Sequence, residues 1–429
     1  MKVLRLIVPL LLGSVQLLAV PAWSRLTSQS CSACHATPTW QLTSMGLGFL
    51  KNGHRMEAAK MDPKDQKLDT MISLVWKGRA YGDQIDAARN PNGLSNTQKP
   101  STNFEQHSFS LYTGGALSDR WSYFTELYLN ENTGSTAANA DGTKNNVVQG
   151  DASRKKMAEA FLQYNQPIGK DAFLAVRMGE ILPGILHVFG VGARSAEQRA
   201  IVLNDALSGN SNTYRPFSRQ QGVDATFNTK HFEVAAGVLN GSDTSTTNSI
   251  DADNHKDIFA SALWNFDSHE SAVGLFHYDG QFTNYATKQD FSTAFQFDNK
   301  FNKDGLLFRF VRDNWRVVGA YFTGKETVNA TGLKATNKGY YALVDYNFTD
   351  KLGMYVRLDN LDPNTDVANN EVSQVMLGVN GILYMSDKSG ARWNFEYTER
   401  SLYDHANWVT AGTTKLKDKR YFLQVTWGF

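Results

Sequence analysis

Cysteine is almost missing from this chain of 429 residues: Cys31 and Cys34 are the whole complement, so no thiol chemistry is available beyond residue 34. Proline is scarce, at 10 residues. Charge of one sign is not in surplus either, because 43 Lys and Arg meet 42 Asp and Glu for a formal net charge of +1. That balance excludes the basic field a nucleic-acid partner would need. Long apolar runs are lacking too. After residue 24 no stretch approaches the roughly 18 consecutive apolar residues of a transmembrane helix, so none is expected beyond that point.

The one apolar run lies at the start, MKVLRLIVPLLLGSVQLLAVPAWSRL. Lys2 and Arg5 form a positive n-region, Leu6 to Val20 an apolar core, and Ala22 and Ser24 supply small residues at −3 and −1 before Arg25. This is the pattern of a secretory leader over residues 1–24, with an uncleaved anchor as the competing reading.

What is abundant is aromatic: 25 Phe, 17 Tyr and 9 Trp, together 12% of the chain, at a low mean hydropathy of −0.39. Export, aromatics and hidden apolarity point to an all-β outer-membrane barrel, whose strands alternate lipid-facing and lumen-facing residues. A secreted β-sandwich or solenoid is the plainer alternative. The alternation is clear in the last strand, where Tyr421, Leu423, Val425, Trp427 and Phe429 oppose Phe422, Gln424, Thr426 and Gly428. It recurs with Met354, Val356 and Leu358 opposite Tyr355, Arg357 and Asp359, and with Trp393, Phe395 and Tyr397 opposite Asn394, Glu396 and Thr398.

Connection lengths set the strand number. Short turns fall at 117–121, 167–171, 228–231, 267–271, 313–315, 349–353 and 386–390. Long polar stretches fall at 87–106, 133–153, 183–219, 241–255, 280–290 (extendable to 304), 324–337, 360–371 and 405–418. Strictly interleaved, they predict sixteen antiparallel strands over 68–429, with both barrel ends on the short-turn, periplasmic side. The segment 291–312 is read as one strand plus part of a loop. Sixteen strands imply an aqueous lumen, and Glu126, Arg177, Asp224, Arg309, Asp345, Arg357, Asp359 and Glu396 read as its wet wall. Within 183–219, apolar GILHVFGVG followed by helix-like SAEQRAIVLNDAL either folds inward or packs over the outer mouth.

Both cysteines belong to CSACH, Cys31 to His35. In an exported protein the pattern C-x-x-C-H is the attachment signal for one haem c. Cys31 and Cys34, three residues apart on a helical turn, form thioethers with the two vinyl groups, and His35 is the proximal axial ligand. A CxxC disulfide or thioredoxin-like site is the alternative, but no βαβ unit accompanies the motif. For the distal ligand the sequence offers Met45, His54, Met56 and Met61; Thr43 caps a helix to about Lys51, and Gly53 marks a turn that favours His54 and Met56. The module over 25–67 holds too few residues, about 45, to bury a haem alone. The barrel is therefore expected to complete the pocket, with the module in or against the periplasmic mouth; a loose tether is the alternative.

A single C-x-x-C-H followed by a sixteen-stranded porin resembles the fused cytochrome–porins, the outer-membrane iron oxidases of iron-oxidising bacteria. Ala36, Pro38, Thr39, Trp40, Leu42, Thr43, Gly46, Phe49, Lys51 and Gly53 follow that family's post-haem pattern. The departures are one residue fewer between Trp40 and Leu42, Leu47 in place of an arginine and His54 in place of a tyrosine. The resemblance implies a Gram-negative outer-membrane Fe(II) oxidase passing single electrons from extracellular Fe(II) to a soluble periplasmic cytochrome c. Its alternatives are electron transfer with other donors or outward, and a plain solute porin with a structural haem. No Fe(II) site is assigned: Asp243, Asp251, Asp253 and Asp257 read as a solvated loop. Oligomeric state is left open.

Overall fold

The computed structural model describes residues 21–56, 67–85, 101–131, 157–190, 192–204, 212, 214–241, 255–267, 270–285, 295–328, 332–386, 389–404 and 414–429. Met61, Asp243, Asp251 and Asp253 lie outside them. Sixteen strands form one closed antiparallel barrel in which each strand pairs with its sequence neighbours. They are β1 (Ile72–Ile85), β2 (Ser101–Ala116), β3 (Trp121–Glu131), β4 (Met157–Ile168), β5 (Ala172–Ile181), β6 (Gln220–Thr229), β7 (Phe232–Leu239) and β8 (Asp257–Asp267). The second half comprises β9 (Ser271–Tyr285), β10 (Phe295–Arg312), β11 (Trp315–Val328), β12 (Leu333–Asn347), β13 (Leu352–Asp362), β14 (Val372–Ser386), β15 (Ser389–Asp404) and β16 (Thr414–Gly428). β1 meets β16 to close the ring, with Trp76 opposite Trp427 and the Phe429 amide donating to Leu74 O at 2.7 Å.

All seven expected short turns are present. The long connections are shorter than their polarity implied: β11 and β12 run through most of 324–337 and leave 329–332 between them, and 291–312 is mainly the single strand β10. Pairing explains the difference. Polar residues such as Lys325 and Thr336 lie opposite each other in register, so their backbone groups are satisfied whichever way the side chains face.

Along β13 burial alternates with sequence, Met354 and Leu358 outward and exposed, Tyr355, Arg357 and Asp359 inward and buried. Leu275, Leu306, Val375 and Leu423 continue the exposed apolar belt around the outside. Beside the short turns it is bordered by aromatic pairs: Trp121 with Tyr164, Phe232 with Trp264, Phe266 with Phe310, and Trp315 with Tyr346. An apolar band edged by aromatics is the exterior of a membrane-spanning barrel. Among the described residues no helix is long and apolar enough to cross a membrane.

The bore departs from expectation. In place of an open aqueous lumen, two segments of the polypeptide fill it. The first contains helices α1 (Pro21–Thr27), α2 (Cys31–Cys34) and α3 (Ser44–Lys51), and α4 (Leu68–Met71) leads into β1. The second is the connection after β5, with α5 (Ile185–Val188) and α6 (Ile201–Asn204). That connection folds inward: Ile185, Leu186 and Phe189 have no exposed surface, and the inward face of Gly274 leaves room for the Ile185 and Phe189 side chains. The charges expected to wet a pore wall bind this filling instead. Arg357 donates to Gln198 O and Arg199 O, Asp359 accepts from the Ile201 amide at 3.1 Å, and Glu396 accepts from the Glu197 amide. Arg309 donates to Leu42 O at 2.7 Å, Asp345 accepts from Gln41, and Arg177 donates to Leu182 O at 3.0 Å, whereas Asp224 pairs along the wall with Arg177. Glu126 accepts from Tyr112, and Arg219 reaches it at 3.3 Å. These bonds also shorten the helix expected over SAEQRAIVLNDAL: the amides of Glu197, Gln198 and Ile201 are spent on wall carboxylates, and in the described part only Ile201–Asn204 is helical. Asp257, expected in a solvated loop, is fully buried in β8 and accepts from the Gln281 amide at 3.0 Å.

Arg357 is the sharpest test of the filling. Arg357→Ala removes two carbonyl bonds and the 2.8 Å partner of Asp359. Breaking a buried pair from one side costs about 3–5 kcal/mol. The variant is expected to lose its heat-resistant migration in detergent gels at a lower temperature than the parent, and an unchanged transition would refute the clamp.

Candidate functional site

The N-terminal filling sits inside the short-turn end. Arg55 donates to Asp119 O at 2.7 Å in the turn after β2, Asn347 donates to Thr37 O beside the turn after β12, and Lys51 pairs with Glu233 at 2.8 Å. Its local fold follows from a few residues. Thr43 caps α3 by accepting from the Gly46 amide, and also donates to Ala33 O in α2. Gly46 lets α3 rest on α2, since a Cβ there would lie 2.2 Å from Cys34 O. Gly53 and His54 then take consecutive left-handed conformations, φ 73° and 62°, and fold the chain back. At Gly53 a Cβ would lie 2.1 Å from Ser122 Oγ on β3. The pattern residues from Ala36 to Gly53 thus work as caps, close approaches and turns.

These contacts rank two substitutions. Gly46→Ala meets backbone and is expected to cost about 1–3 kcal/mol by overpacking. Gly48→Ala meets nothing within 4 Å, and is expected to be neutral or to stabilise by about 0.5–1 kcal/mol through helix propensity. Thermal unfolding of the two variants checks the order, and equal destabilisation would refute the α2–α3 contact.

Cys31, Cys34, His35 and His54 all line one cavity of ≈ 290 Å³, close to the smallest ligand pockets, about 300 Å³. Neither cysteine is in a disulfide, Cys31 is buried and Cys34 half-buried, and burial pushes the Cys34 thiol up to about 11. The His35 amide closes the turn on Cys31 O at 2.9 Å, which places both thiols and the imidazole on one turn. His35 Nδ1 lies 3.0 Å from Trp40 O, and the rings stack at 4.5 Å. With Nδ1 donating to that carbonyl, Nε2 is the nitrogen left for a metal. Burial holds His35 down to about 4, against the opposing Trp40 hydrogen bond, so the imidazole is neutral at pH 7.

His54 is 4% exposed, and its Nδ1 is buried with no hydrogen-bond partner. The ring stacks on Phe124 at 4.1 Å and on Trp23 at 4.8 Å, and burial pushes its pKa down to about 3. A buried nitrogen without a partner costs free energy unless a ligand satisfies it. The other two distal candidates sit elsewhere: Met45 is 39% exposed on α3, Met56 is half-buried at the end of the described segment, and neither lines the cavity.

Sequence reading missed much of the lining. Lys77, Arg194, Arg199, Arg219 and Arg392 oppose Glu126, Glu159 and Glu197, an excess of positive charge. Arg392 is paired with Glu197 and lies 5.5 Å from the Trp40 ring centroid, while its Nε and Nη1 have no partner. Its signal was present, since Arg392 shares the inward parity of Asn394 and Glu396. Arg194 and Glu197 had none, because their position depends on the loop turning inward. Among the described residues no group of three or more His, Cys, Asp or Glu is arranged to hold a metal ion, and the Fe(II) position stays unassigned.

No protein-family model and no curated protein matches the sequence. Solved structures do. An anion-selective porin from Comamonas acidovorans superposes with a TM-score of 0.55 at 10% identity, over 83% of this chain and 98% of that one. OmpT, an outer-membrane protein of Vibrio cholerae, gives 0.51 at 12% identity over 83% and 97%. The fold is that of an outer-membrane porin. Within that porin fold, the cavity described above lies between the wall and the segments that fill the bore.

Proposed function

We propose that this porin-fold barrel carries one haem c and moves single electrons across the outer membrane, with extracellular Fe(II) as donor and a soluble periplasmic cytochrome c as acceptor. The observation that carries the proposal is the meeting of both thiols and two neutral imidazoles in one lumenal cavity. In it Cys31 and Cys34 would hold the group covalently, and His35 Nε2 and His54 would supply the nitrogens that hold its iron. When bound, the haem supplies a reversible one-electron couple, matched to the one-electron oxidation of Fe(II). The positive surplus of the lining suits a group bearing carboxylates. Location is the second support: ferric products are insoluble at neutral pH, so oxidation belongs outside, whereas the module faces the short-turn, periplasmic end. Enclosure by barrel and filling supplies the apolar walls that a module of this length lacks.

The test is direct. Purified, oxidised protein mixed with Fe(II) is expected to develop the absorption band of reduced haem, and oxidised soluble cytochrome c is then expected to re-oxidise it. Absence of reduction refutes the iron oxidase. Reduction by other donors only would support the related electron-transfer alternative.

The porin fold itself favours a second reading, a solute channel whose haem, if present, is structural. Against it stands the tightly held filling of the bore. Planar-bilayer recording separates the two: steady porin-sized conductance supports the channel, and a closed barrel supports electron transfer.

A further inference from the structure

Trp23 stands upstream of the cleavage point read from the sequence, yet it is built into the cavity wall. Its Nε1 donates to Gly114 O on β2 at 3.1 Å. Its ring lies 5.3 Å from Phe49, 6.0 Å from Phe124 and 4.8 Å from His54, stacked on the last at 30°. His54 is thereby held between Trp23 on one side and Phe124 on the other. Neither contact is a hydrogen bond; Phe49 meets the imidazole edge-on at 5.8 Å and Phe161 lies 6.1 Å away, so Trp23 and Phe124 are the two rings stacked on the faces of an imidazole whose Nδ1 has no partner. The flanking residues are equally engaged: Ser24 Oγ donates to Gln29 O, and Arg25 Nη2 donates to Ile72 O at 3.1 Å. A cut between Ser24 and Arg25 would discard Trp23 with the leader and leave one face of His54 bare.

We infer that Trp23 is retained in the mature protein as the positioning residue for His54, and that the leader is removed at the bond before it, between Ala22 and Trp23. The sequence permits this cut. Val20 and Ala22 occupy −3 and −1, with the small Ala22 at the bond itself. Hydrolysis there consumes one water, leaves the carboxylate on Ala22 and makes the Trp23 nitrogen the new α-amino group. What is lost with Ala22 is a buried methyl group, its place in the first turn of α1 and the bond from its amide to Ser73 Oγ at 2.9 Å. Loss of Trp23 would remove a large aromatic contact surface and its hydrogen bond together.

The role at His54 rests on the haem reading above, whereas the cleavage position does not, and two measurements keep them apart. Intact mass and N-terminal sequencing of the protein purified from outer membranes are expected to give a mature protein beginning at Trp23. A start upstream of it also supports retention, and a start at Arg25 overturns it. For the second measurement, haem stain on the denatured wild type tests the cofactor first, since an unstained band refutes the haem reading and leaves the mass result standing. In stained protein, Trp23→Ala is expected to keep the covalent haem but lose the six-coordinate, low-spin ferric spectrum in most molecules, and Trp23→Phe to restore it. An unchanged spectrum in the alanine variant overturns the positioning role, and failure of phenylalanine to rescue a lost spectrum does the same.

Discussion

Replacing Cys31 and Cys34 together with alanine is expected to abolish covalently bound haem while leaving the barrel assembled. The two thiols are the protein's whole complement, so no other residue can form the thioethers. The wall does not depend on them: their side chains serve no disulfide, and the strand ladder closes through β1 and β16 without either. The measurement is a haem stain after denaturing electrophoresis, run beside an unheated sample for the folded barrel. The expected result is complete loss of stain, with heat-dependent migration retained. A single replacement at either position leaves one possible thioether and is expected to stain weakly. Persistent stain in the double variant would refute attachment at this motif, and loss of both signals would mean that the motif is needed for folding.

The second large effect is expected at His54. Among the distal candidates within the described residues, Met45, His54 and Met56, it alone lines the cavity, with a buried nitrogen free of hydrogen bonds. His54→Ala is expected to convert the ferric spectrum from low-spin to high-spin and to open the sixth position to added imidazole or cyanide. Met45→Leu and Met56→Leu are expected to leave the spectrum unchanged. Histidine on both sides also predicts a lower potential than a His–Met pair would give, because a thioether ligand favours the reduced iron. His54→Met, if it ligates, is therefore expected to raise the midpoint potential. A wild-type spectrum in His54→Ala would return the assignment to the methionines.

Alternation made the wall legible. Met354 to Asp359 and Trp393 to Thr398 read correctly as two faces because a strand's period of two is imposed residue by residue. Turn spacing gave the strand number for the same local reason. The Thr43 cap and the turn at Gly53 were equally local. What could not be read was the occupation of the lumen. Arg357, Asp359 and Glu396 look the same in sequence whether they face water or the backbone carbonyls and amides of 197–201, since their partners lie some 160 to 200 residues away. Helical propensity in SAEQRAIVLNDAL was overridden by those carboxylates. The packing of Trp23 was not legible for another reason: the rule that reads a leader from small residues says nothing of where a neighbouring ring packs.

The closing seam of the barrel has a consequence for assembly. Val75 and Lys77 on the first strand, and Thr426 and Gly428 on the last, are walls of the same cavity that holds residues 31–35. The pocket is therefore bounded by both extremities of the strand sequence. A polypeptide lacking its final strand carries the turn at residues 31–35 but not the enclosure. The cavity is complete only where the first and last strands meet.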